Sequence, residues 1–176
     1  MTKITNMNYL FAGLTYSGEI RGLLRLYNTF YLAEKCAGMP LIYEWILSTR
    51  SMGNGPTSYY LGNDLVFMIH SGLAVQTIRK DHVAFTAVQI DDNIEHEVLG
   101  NTQEFIPFFE AIGELDWQTV AIAAAYVAAQ NETTETGEPR NLEEIHRIVE
   151  KRKASIYTDE RIVAALNFIQ KFSNGR

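Results

Sequence analysis

Apolar and polar positions change period along the chain, and the sharpest change lies between Met52 and Val75. Gly53, Asn54 and Gly55 supply a permissive backbone. Pro56 suits the first position of a helix, where its missing amide hydrogen has no partner to lose. Leu61, Leu65, Met68 and Ile69 then recur at helical spacing, and Ser71-Gly72 can end the helix and turn the chain into Leu73-Ala74-Val75. The pattern predicts a helix over 56–72 leading into a strand.

Upstream, residues 1 to 16 are rich in Tyr and Phe and read as a segment packed on the core. Ser17 is expected to cap a helix running to about Cys36. Its apolar set, Ile20, Leu23, Leu24, Tyr27, Phe30, Tyr31 and Ala33, is too wide for a surface helix and predicts a central one. Gly38-Met39-Pro40 breaks it, and Leu41 to Leu47 has the content of a short strand or extended linker.

Downstream, Leu73 to Ile78 and Val83 to Ile90 flank a turn at Arg79 to His82 and predict a hairpin. Asn101 with Glu104 resembles a capping box and predicts a short helix over 102–111, which Pro107 shortens or kinks. The alanine-rich run from Asp116 to Gln130 predicts a helix with small faces that neighbours approach closely, and so a buried one. Asn131 to Pro139 has the composition of a mobile loop. Asn141 with Glu144 opens a further helix, and Thr158 caps the last, whose face carries Ile162, Ala165, Leu166, Ile169 and Phe172. These elements predict an α+β fold, mostly helical. It would have a winged-helix-like core with a β-hairpin over residues 1–100, and a helical extension over 101–176 packed on it.

With 176 residues, 47% of them hydrophobic, the chain can bury a substantial core. Cys36 is the only cysteine, which excludes an intramolecular disulfide and fits a cytoplasmic setting. No basic region precedes a long apolar run at the start, and no segment reaches the roughly 18 apolar residues of a membrane span. The net charge of −6 is unevenly spread. Eleven carboxylates and no lysine or arginine lie between Asp91 and Glu138, whereas Arg140 to Arg176 holds eight basic and five acidic residues. This charge pattern reads either as a solvated surface or as a negative face that docks a basic partner.

Candidate chemistry is sparse. His70, His82, His96 and His146 have no metal-ligand spacing, and Glu95-His96-Glu97 is a dense cluster of three consecutive side chains that cannot close a metal site alone. No nucleophile motif, phosphate-binding loop or dinucleotide fingerprint is present, so no enzyme activity and no cofactor are expected. The glycine-rich turn at 53–58 has no lysine in the following turn and reads as structural. A winged helix would place the 56–72 helix in a DNA groove, yet that helix has no lysine or arginine and one aspartate. Arg50, Arg79 and Lys80 are the nearby cations for such a regulator. Tyr59 and Tyr60 at the helix start could stack on bases, but adjacent tyrosines at a helix start are expected to be one buried and one exposed.

The run Phe30 to Lys35, the pair Gly55-Pro56, Asp64-Leu65 and Gly72-Leu73 resemble the small bacterial and phage proteins related to the SocA-type antitoxin domain (Panacea), and more closely their YwgA-like relatives. Val120 to Tyr126, Ile148 to Lys153 and Thr158 to Leu166 resemble the helices that follow in those relatives, so the likeness spans roughly residues 18 to 172. Relatives usually place a tyrosine directly before the Gly-Pro pair, where Asn54 stands here. The resemblance implies an interaction protein, antitoxin or chaperone-like, or a regulator carried by mobile elements, with no catalytic set. The expectation is a non-enzymatic module that binds a toxin, defence or nucleic-acid machine through a basic surface on that partner, with a winged-helix DNA-binding regulator as the alternative. The expected contact residues are Asp91, Asp92, Glu95 and Glu97, then Tyr59 and Tyr60. Apolar helices could equally bury a dimer contact, and no membrane partner is expected.

Overall fold

The computed structural model describes residues 5–47, 55–90, 99–132 and 137–173. The order is α1 (Asn6–Tyr16), β1 (Ile20–Arg21), α2 (Leu23–Lys35), α3 (Tyr59–His70), β2 (Ala74–Ile78), β3 (Val83–Ala87), a 3-10 segment (Gly100–Phe105), α4 (Ile106–Gly113), α5 (Trp117–Asn131), α6 (Leu142–Lys153) and α7 (Asp159–Ser173). The fold is α+β and mostly helical, with one small antiparallel sheet of three strands in the order β1-β3-β2.

The helix at the centre is α5, rather than the helix ending at Cys36. Asp116 caps it by accepting from the Thr119 amide at 2.8 Å, and every residue from Thr119 to Ala129 is buried. A helix apolar on all sides has to be enclosed, and here α2, α6 and α7 enclose it. The alanines make this compatible with close packing, because three helices can approach one axis without large side chains holding them apart. Phe108 and Phe109 of α4 extend the core: Phe108 packs against Phe168 and Phe172 of α7, and Phe109 against Phe30 of α2.

The N-terminal segment packs on the core as a helix. α1 buries Tyr9 to Leu14, and Gly13 is needed at its closest approach, since a β-carbon there would stand 2.4 Å from Phe30. Ser17 ends α1 instead of opening the next helix, which starts at Leu23 after Gly22. The intervening β1 pairs Ile20 with Phe85 and adds a third strand to the expected hairpin. α3 begins at Tyr59, three residues after Pro56, because Ser58 accepts from the Leu61 amide and serves as the cap. Its other end matches the pattern, with Gly72 at φ 73° turning the chain into β2. The 102–111 helix divides: the chain forms a 3-10 segment first, and Pro107 lies in the opening turn of α4, where a proline removes no helical hydrogen bond.

Two polar arrangements set how the packed helices register. Arg25 of α2 is half-buried and donates to the carbonyls of Ile112, Gly113 and Leu115, at 3.4, 3.3 and 2.8 Å. It thereby adds a charged donor at the end of α4 and the turn into α5, where helix carbonyls run out of intrahelical donors. Burial holds the Arg25 guanidinium below its usual range. At the far end of α5, Glu132 accepts from Arg152 at 3.0 and 3.1 Å and from Arg140 at 2.6 Å. The α6 helix opens on the expected capping box, with Asn141 accepting from Glu144 N and the Glu144 carboxylate from Asn141 N. No helix among the described residues is long and apolar enough to cross a membrane.

Arg25→Ala should lower the unfolding free energy by about 2 kcal/mol in urea denaturation, the scale of a lost charged hydrogen-bond set. For Glu132, burial acts to raise the carboxyl pKa, but the hydrogen bonds from Arg152 and Arg140 outweigh it and hold the pKa below the ordinary value. A carboxyl depressed in the folded state contributes stability that is complete above about pH 4.3 and is lost as pH falls through the folded value. Glu132→Gln should therefore cost about 1 kcal/mol at neutral pH, and the difference from the parent should shrink in acid, read by denaturation at stepped pH.

Candidate functional site

The candidate surface is built from α3 and the extended segment before it. α3 buries Leu61, Leu65 and Met68 and leaves its opposite side to solvent. That side carries Tyr59 (73% exposed), Tyr60 (52%), Asn63, Val66 (51%), Phe67 (57%) and His70. The spacing puts Val66 and Phe67 two turns beyond the tyrosines on the same face. The two tyrosine rings meet edge to face with centroids 6.0 Å apart. Both are exposed, against the expectation of one buried, because Leu61 is the first residue of α3 to turn inward.

Beside this helix runs residues 40–47, an extended strap with strand-like alternation. Leu41 and Tyr43 point inward, whereas Ile42 (86% exposed), Glu44 and Ile46 point out. Four ties hold it. The Asn6 side chain accepts from Ile42 N at 3.2 Å and donates to Ile42 O at 3.3 Å. The Tyr43 hydroxyl donates to Asp64 of α3 at 2.8 Å, and the Trp45 indole donates to Glu34 of α2 at 2.6 Å. Ile46 and Thr57 exchange main-chain hydrogen bonds at 2.8 and 3.1 Å. Trp45 is also wedged edge to face against Tyr31 and Tyr43. Burial, with the Asp64 hydrogen bond and charge, pushes the Tyr43 hydroxyl far above its ordinary range, so it remains a donor at any working pH.

Two open hollows flank the strap, and Ile42 lines both. One, of about 340 Å³, lies among Thr5, Asn6, Met7, Tyr9, Pro40 and Asp64. The other, of about 480 Å³, lies among Leu41, Tyr43, Glu44 and Tyr60. Among the described residues no lysine or arginine lines either hollow.

The other expected contact residues are placed differently. Asp91, Asp92, Glu95 and Glu97 lie outside the described residues, as do Arg50 and residues 133–136 of the 131–139 loop. Arg79 at the hairpin is engaged within the chain: Glu19 holds it at 2.8 Å and Arg21 at 2.9 Å. These hydrogen bonds, from Arg79 and then Arg21, hold the Glu19 carboxyl below its usual range. Lys80 is exposed at the hairpin tip. Among the described residues no group of three or more His, Cys, Asp or Glu gathers as a metal set. Ile42, Val66 and Phe67 were not singled out from the sequence. Their signal was available, since Val66 and Phe67 are large apolar residues off the Leu61-Leu65-Met68 stripe.

No family model, curated protein or solved structure matches the chain.

Tyr43→Phe should lower stability by about 1 kcal/mol, because it leaves the Asp64 carboxylate without its donor. Amide hydrogen exchange should accelerate along residues 42–47 more than in α5, which would show that the strap is released locally.

Proposed function

We propose that this chain is a non-enzymatic interaction protein that binds another protein through the exposed face of α3 and the strap. The observation that carries this reading is that Tyr59, Tyr60, Val66 and Phe67 form one exposed apolar face on a helix whose opposite face already supplies its core packing. Contiguous apolar surface of this kind marks contact sites on water-soluble folds, and aromatic anchors dominate such contacts.

In the same reading, residues up to about 100 form a winged-helix-like core. Its support is the element order, helix, strand, helix, helix, strand, strand, together with the β1-β3-β2 sheet. α3 then occupies the place of a recognition helix, but its outward face has aromatic and aliphatic side chains where duplex binding needs cations. That contrast, with Arg79 already paired to Glu19, favours a protein partner over DNA. The resemblance to SocA-type antitoxin proteins supports the same class of role, a cytoplasmic modulator of a toxin, defence or nucleic-acid machine. The acidic segment around Asp91, Asp92, Glu95 and Glu97 is a second contact region in this proposal.

The experiment is capture with a tagged chain from host lysate after nuclease treatment, followed by purification of the retained partner and a direct binding titration. The double variant Val66→Asp, Phe67→Asp should keep the helical circular dichroism of the parent and weaken that partner by at least about tenfold. Unchanged affinity would remove the α3 face from the interface. Loss of all associated material with nuclease would shift the reading to a DNA-binding regulator.

A further inference from the structure

We propose that the hollow between Tyr60 and the strap seats a cationic side chain, lysine or arginine, contributed by the protein partner. This rests on the docking role of the α3 face and names the chemistry that one part of it selects.

The hollow is open to solvent and has a volume of about 480 Å³. Its lining has three kinds of surface. Leu41 and Ile42 are aliphatic, Tyr43 and the exposed Tyr60 are aromatic, and Glu44 supplies the one formal charge. A lysine or arginine matches all three, because its apolar stem covers aliphatic surface while its head meets aromatic rings and a carboxylate.

The electrostatics point the same way. Tyr43 spends its hydroxyl on Asp64, which brings a second carboxylate next to the lining, and Asp64 itself borders the adjoining hollow. Among the described residues Glu44 has no ion-pair partner, and no lysine or arginine lines either hollow. An anion entering here meets the negative charge of Glu44 with Asp64 close by, while a cation supplies the opposite charge that the described lining lacks. The neighbouring α3 face is apolar, so the fitting partner segment carries a basic residue beside apolar ones.

The test uses small probes and no partner. Isotope-labelled protein is titrated at low salt with N-acetyl-arginine amide and N-acetyl-lysine amide. The neutral controls are N-acetyl-citrulline amide and N-acetyl-norleucine amide. Saturable shifts should centre on Ile42, Glu44 and Tyr60, with the cationic probes at least about threefold tighter than their neutral isosteres. Glu44→Gln and Tyr60→Ala should each weaken them about threefold, while the rest of the spectrum stays in place because both side chains are exposed. Equal binding of charged and neutral probes, indifference to Glu44→Gln or Tyr60→Ala, or no saturable shift overturns the proposal. The two readings fail separately. If the probes do not bind yet the Val66→Asp, Phe67→Asp variant loses the purified partner, the cation seat alone falls. If that variant keeps the partner, the α3 docking role falls whatever the probes do.

Discussion

The burial of α5 on every side constrains the rest of the chain. From Thr119 to Ala129 every residue is buried, so each turn of that helix needs a neighbour. α2, α6 and α7 supply them, and the alanines set how near they come. Enlarging a position such as Ala123 or Ala124 would push those helices outward, because an interior at crystal-like density has no slack to absorb added methylenes. Displacement of α2 would in turn carry Arg25 away from the α4 carbonyls and Glu34 away from Trp45. A strap on the surface thus depends on small residues in the centre.

Apolar burial is not directional, and it does not by itself choose a rotation or register for each helix. The polar ties make that choice. Arg25 of α2 reaches the carbonyls at the end of α4, and Glu132 meets both Arg140 and Arg152 where α6 returns past the end of α5. A cluster of Tyr126, His146 and Tyr157 hydroxyl and imidazole groups fixes α6 and the turn after it against the same helix. These groups are costly if left unmatched and therefore select the packing in which they are matched.

Much of the element order was legible because it depends on local signals. The Asn141 and Glu144 box, the Gly72 stop, the hairpin turn at Arg79 to His82 and the enclosed alanine helix all follow from residues a few positions apart. Other features have no local signal. β1 is two residues long and exists because Ile20 and Arg21 pair with a strand more than sixty residues away. The start of the second helix shifted from Ser17 to Leu23 for that reason, since a strand now occupies the residues between. The ties from Asn6 to Ile42 and from Arg25 to Leu115 are likewise long-range polar contacts, invisible to periodicity. At the candidate site the tyrosines were legible as a helix start. The breadth of the face was legible only in part: Val66 and Phe67 lie off the Leu61-Leu65-Met68 stripe, but that they stand exposed depends on which elements cover α3, which periodicity does not give.

The side chains of that face are not explained by folding. Leu61, Leu65 and Met68 already satisfy the buried side of α3, and Ser58 caps its start. Polar residues at Tyr59, Tyr60, Val66 and Phe67 would leave those contacts intact and would gain hydration. The exposed apolar area instead has a cost, since such surface drives association whenever a complementary partner is present. Its ordering is equally specific, because the strap beside it is tied at four points and cannot fold over to cover it. A rigid apolar helix face next to an acidic, aromatic hollow is pre-organised, and pre-organisation reduces the ordering cost that binding otherwise carries. The same ties that hold the strap on the fold therefore also keep the face open.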